Sequence, residues 1–104
     1  MGAKKKEKIV VGIGYYRRQD WERFLASADD REKLEDTYDE WLVSFRNAVK
    51  NMRTAGTEPK KVLFTIDELL DYCKKKRLKN NAKARSEFFS ELTRQGKTEE
   101  ITEI

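Results

Sequence analysis

Apolar and polar positions follow two rhythms along this chain, and the changes of rhythm mark its elements. The longest helical stretch runs from Asp36 to Gly56. Its apolar residues Tyr38, Trp41, Leu42, Phe45, Ala48, Val49 and Met52 keep the i, i+3, i+4, i+7 spacing of one helix face. Thr37 and Glu40 form a capping-box pair at the start, where each side chain can satisfy a backbone N–H of the other residue. Gly56 suits the left-handed position beyond the end, and Pro59 opposes continuation. A long central helix over about 37–54 is therefore predicted, roughly 25 Å from end to end. The other elements must pack on it.

Ahead of this helix, Ile9, Val10, Val11 and Ile13 read as a short strand that Tyr15 and Tyr16 can extend. Gly12 and Gly14 weaken a strand, or mark a place where another backbone comes close. Asp20 is placed to cap a short helix over 21–28, with Trp21, Phe24, Leu25 and Ala28 on one face. Asp29 to Asp36 is a polar connection. After the long helix, Thr57 to Lys61 reads as a turn, and Val62, Leu63 and Phe64 as a second strand. Thr65 and Glu68 form another capping-box pair before a helix over 66–77, which carries Ile66, Leu69, Leu70 and Cys73 on its apolar face. Asn80 and Asn81 break and cap. A last helix over 82–95 buries Ala84, Phe88, Phe89 and Leu92, and Gly96 ends it.

The order β-α-α-β-α-α predicts an α+β domain, mostly helical, with one short two-stranded sheet. The long crossover through two helices permits a parallel pair. Two strands alone are marginal, so helices must cover them. A remaining face or edge offers pairing to a second copy, which makes a homodimer one expectation. Residues 8–96 are expected to form a single globular domain, with 1–7 as a basic leader and 97–104 as a charged tail, both flexible.

Composition changes this picture in one respect. A charged fraction of 40% would suit disorder, yet the apolar residues sit at helical spacings instead of being scattered. Folded helices with highly charged wet faces explain both facts. The net charge of +4 is unevenly spread: residues 1–20 carry +4, 21–58 carry −3, 59–97 carry +6 and 98–104 carry −3. The single cysteine, Cys73, excludes an intramolecular disulfide. The apolar run near the start is too short for a membrane span and a poor secretory leader, so a cytoplasmic location is expected.

Candidate chemistry is sparse. There is no histidine, so imidazole acid–base catalysis is excluded. Cys73 lies on the apolar stripe of its helix, where a free thiol acts as a small hydrophobe. Asp29, Asp30, Glu32, Glu35, Asp36, Asp39 and Glu40 could offer oxygen ligands, but their spacing matches no calcium loop. Gly12-Ile13-Gly14 begins like a dinucleotide fingerprint, but Arg17 stands where the third glycine is needed. No catalytic residue, cofactor or metal is assigned, and the reading leans away from an enzyme. Two clusters remain. Lys74, Lys75, Lys76, Arg77 and Lys79, followed by Lys83 and Arg85, could meet nucleic acid in the manner of a helix-turn-helix, or form a solvated helical face. Tyr15, Tyr16, Arg17 and Arg18, beside Trp21, combine the residue types that dominate protein-binding hot spots, or form core and a capped turn.

One further pattern is carried by whole segments. Gly14-Tyr15-Tyr16, Asp20-Trp21 and Leu34 to Leu42, then Ile66 to Leu70, Tyr72-Cys73, Ala84-Arg85 and Phe88, together resemble a set of small uncharacterised bacterial proteins. The run Thr37-Tyr38-Asp39-Glu40-Trp41-Leu42 is its most specific part. The chain departs from that pattern at Tyr72, where tryptophan is expected, and at Arg77, where glycine is expected. The resemblance implies a compact bacterial α+β domain and no particular activity. The expectation is a non-enzymatic binding or accessory module working through protein–protein contact, with nucleic-acid binding through the basic C-terminal half as the alternative.

Overall fold

The computed structural model of the chain describes residues 8–102. The order is β1 (Val10–Tyr15), a 3₁₀ turn (Arg18–Asp20), α1 (Trp21–Ser27), a second 3₁₀ turn (Arg31–Lys33), α2 (Tyr38–Thr54), β2 (Glu58–Leu63), α3 (Ile66–Lys76) and α4 (Ala82–Arg94). This is the expected α+β arrangement, and the two strands pair in parallel from Val10↔Glu58 to Tyr15↔Leu63. The expectation of a basic leader at 1–7 lies outside the described residues.

Local chemistry sets the helix starts. Thr37 Oγ1 accepts from the Glu40 N–H at 3.1 Å, and Glu40 Oε1 accepts from the Thr37 N–H at 3.2 Å. Thr65 and Glu68 repeat the exchange at the head of α3, and Asn81 Oδ1 accepts from the Ala84 N–H at the head of α4. Asp20 behaves differently from its expected role. It precedes α1 without capping it, and its carboxylate instead accepts the Ile66 N–H of α3 at 3.0 Å. One side chain thus ties the turn before α1 to the start of a helix 46 residues on.

The sheet lies between α2 and α4. Tyr15 packs edge-on against Trp41 and Phe45 of α2, with ring centroids 5.6 and 5.1 Å away. Gly12 and Gly14 point to the other face, because side chains alternate along a strand. A Cβ on Gly12 would fall 1.8 Å from Thr93 Oγ1, and one on Gly14 would fall 2.2 Å from the Phe89 ring. The two glycines therefore let α4 lie directly over β1.

Two expectations change. β2 begins at Glu58, inside the stretch read as a turn, and runs through Pro59. The Glu58 N–H donates to the Ile9 carbonyl on the β1 side, whereas the Lys61 N–H donates to the Glu99 carbonyl on the opposite side. Pro59 shares the phase of Lys61, so its missing N–H costs no β1 ladder bond. The segment after α4 is not a loose tail as far as residue 102. Lys61 and Glu99 exchange both backbone bonds at 2.9 Å, Arg53 donates to the Ile101 carbonyl at 3.2 Å, Lys60 pairs with Glu100, and Ile101 is only 6% exposed. Burial of one isoleucine and closure of a strand edge hold a segment that its charge alone would leave in water.

Candidate functional site

The phase of the ladder decides which backbone groups of β1 are committed. With the Glu58 N–H bonded to Ile9 and the register Val10↔Glu58, residues 9, 11, 13 and 15 turn their backbone groups toward β2. Val10, Gly12 and Gly14 turn theirs to the far edge, where no described residue bonds them. Gly14 is nevertheless buried. Buried backbone groups almost always have a partner, in the protein or in bound water, so this edge invites one. Its inner end is closed, because the Tyr38 hydroxyl donates to the Tyr16 carbonyl at 2.7 Å.

The open edge forms the floor of a cleft of about 700 Å³. α2 contributes Trp41 and Met52 to one wall, and α4 contributes Ser86, Phe89, Ser90 and Thr93 to the other. Trp41 to Met52 covers about 16 Å of helix, the length of about five extended residues. A second cleft of about 280 Å³ adjoins it, sharing Ile13, Gly14, Tyr16, Trp41 and Arg85 with the first. Trp21, Phe24, Leu34 and Glu35 also line it.

Where the clefts meet, a buried polar network fixes the walls. Arg85 grips Asp30 with two bonds, Nη1 to Oδ1 at 3.0 Å and Nη2 to Oδ2 at 2.7 Å. Its Nη1 also donates to the backbone and side-chain oxygens of Asn80. Asn80 in turn donates to Ser27, and the Ser27 hydroxyl donates to the Phe24 carbonyl. The bond from Arg85 holds the Asp30 carboxyl below its usual range, against the opposing effect of burial. Tyr16, 7% exposed, stacks on Phe24 with centroids 4.3 Å apart, and burial raises its hydroxyl well above the ordinary tyrosine value. The charges around that ring are Arg85, Asp30 and Glu35. Glu35 accepts the Ser44 hydroxyl at 2.5 Å and makes no ion pair among the described residues.

The residues singled out from the sequence are distributed differently. Tyr15 is half-buried against α2, with the Lys61 ammonium 4.7 Å above its ring. Tyr16 is core. Arg17 is bound to Asp20, and Arg18 to Asp39, with the Arg18 guanidinium also over the Tyr38 ring. These four do not form one exposed aromatic patch, because the strand turns one tyrosine into the core and the two arginines are engaged by neighbouring carboxylates. Lys74, Lys75, Lys76, Arg77, Lys79 and Lys83 are all exposed around the turn from α3 to α4. Arg85 is the correction in that cluster. It is 6% exposed and committed to Asp30, so it supplies no contact to a polyanion. Cys73 is buried, and burial raises its thiol above the ordinary value. Of the acidic residues, Asp30, Asp36 and Asp39 are held by Arg85, Arg31 and Arg18. Among the described residues no group of three His, Cys, Asp or Glu is placed to hold a metal ion. No described helix is long and apolar enough to cross a membrane.

Comparison of the chain with protein-family models, with curated proteins and with solved structures gave no match. The geometry alone therefore carries the functional reading. The residues that build the groove, Gly12, Gly14, Met52, Phe89 and Thr93, were not read as a site from the sequence. The one local signal is the pair of glycines at alternate positions of a strand, which puts both on the same face.

Proposed function

We propose that the chain is a small interaction module that takes an extended segment of a partner protein as a third strand on β1. The observation that supports this is the open backbone edge of Val10, Gly12 and Gly14, set in a walled apolar cleft. Strand addition supplies affinity through backbone bonds and selectivity through side-chain pockets. A folded second copy suits the groove less well. It brings its own α4 over its own β1, so antiparallel pairing of two β1 strands about an axis normal to the sheet sets the helices about 5 Å apart. Packed helices need about 8–10 Å. A reducing cytoplasm suits a chain whose one cysteine is unpaired.

The test uses the full chain and a displayed library of random linear heptapeptides. Selected peptides should shift the amide resonances of Gly12 and Gly14. Val10→Pro should abolish that binding, since the proline removes an edge-facing N–H and spares every β2 bond. Selected peptides that bind Val10→Pro as well as the parent would sink the reading. A dimer in sedimentation that dissociates in Val10→Pro would replace the peptide with a second copy.

A second reading draws on the six exposed cations of the α3–α4 turn. Residues 72–86 contain no carboxylate, and the preceding Asp71 pairs with Lys75 at 3.3 Å. Such a turn can contact nucleic-acid phosphates. Binding to a short duplex that weakens steeply with salt, and weakens further in Lys79→Ala and Lys83→Ala, would support it. No binding at low salt would remove it.

A further inference from the structure

The smaller cleft opens from the inner end of the β1 edge, on the side of α2. Ile13, Gly14, Tyr16, Trp41 and Arg85 line both clefts, so a side chain leaving a strand beside Gly14 has a direct way in. We infer that the strand added to β1 places a lysine or arginine side chain in this cleft, with Glu35 as its counter-ion. This rests on the third-strand reading above.

Two observations carry it. The lining from Trp21, Phe24, Leu34 and Trp41 is apolar and suits the alkyl stem of a long basic side chain, whose charged head stays at the polar end. A cation near an indole face gains further attraction. The charges in the lining do not balance unaided. Arg85 is matched by the bidentate Asp30, whereas Glu35 is bonded only by the Ser44 hydroxyl and has no cation in a described ion pair. One carboxylate lining an aromatic cleft therefore has no ion-pair partner among the described residues. An acidic side chain entering there would meet it with repulsion. An apolar one would strip water from it without supplying a partner.

The experiment repeats the heptapeptide selection on the parent chain, on Glu35→Gln and on Glu35→Lys, with thermal unfolding to confirm that all three are folded. The parent should enrich lysine or arginine at one fixed position. Replacing that residue by norleucine in a synthetic peptide should weaken binding about tenfold, the loss of one partly buried charged hydrogen bond. Glu35→Gln should lose the preference, and Glu35→Lys should select Asp or Glu there. An apolar or acidic preference in the parent, or an unchanged preference in Glu35→Lys, overturns the assignment. If selected peptides shift Gly12 and Gly14 without any basic preference, the third-strand reading survives and this inference fails. If no peptide shifts them, both fail.

Discussion

The two edges of the sheet are treated in opposite ways. The outer edge of β2 is closed: Lys61 exchanges bonds with Glu99, Ile101 is buried beside it, and Pro59 offers no N–H. Among the described residues nothing bonds the edge of β1, although helices wall it on both sides. An exposed strand edge invites unwanted pairing, and natural proteins usually blunt it. Closing one edge with a charged segment and a proline while leaving the other in a groove is what the third-strand proposal requires. On the open side, Arg85, Asp30 and Asn80 brace the wall that carries Phe89.

The largest expected effect is on that brace. Arg85→Ala leaves the Asp30 carboxylate buried without its partner and should cost about 3–5 kcal/mol in urea unfolding. A near-neutral result would mean that the wall is soft and that the two edges differ less than their geometry indicates. On the closed side, Ile101→Ala should cost about 2–4 kcal/mol, since the side chain is almost wholly buried. A chain whose last residues were free would show no change. Next comes Gly14→Ala, which drives a methyl group into the Phe89 ring and should cost about 1–3 kcal/mol. Should it prove neutral, α4 can lift off β1 and the argument against a β1-paired dimer weakens. The smallest effect lies away from both edges. Arg77 ends α3 in the left-handed region at φ 58, so Arg77→Gly should raise stability by about 0.5–1 kcal/mol. Peptide binding should not change in this variant, which makes it a reference for the other three.

Much of the scaffold was legible without coordinates because the responsible interactions are short in sequence. The capping boxes of α2 and α3 join residues three apart, and the apolar stripe of α2 is a local period. Gly56, at φ 90, ends α2 as its position suggests. The site was much less legible. Arg85 looks like a member of a surface cluster when read beside Lys83, and its partner is 55 residues away. Tyr15 and Tyr16 are neighbours, yet Tyr15 is half-buried against α2 whereas Tyr16 is a member of the core.

The sequence by itself determined where the helices lie, how α2, α3 and α4 start, and that no imidazole or intramolecular disulfide chemistry is present. Those follow from periodicity, caps and composition, each set within a few residues. Only the tertiary structure decided which strand edge is sealed and which cation is buried. Both depend on contacts between residues about 40 to 55 positions apart, Lys61 with Glu99 and Arg85 with Asp30. A local pattern carries no record of such pairings, because what selects them is the desolvation and close packing that arise once the helices meet the sheet.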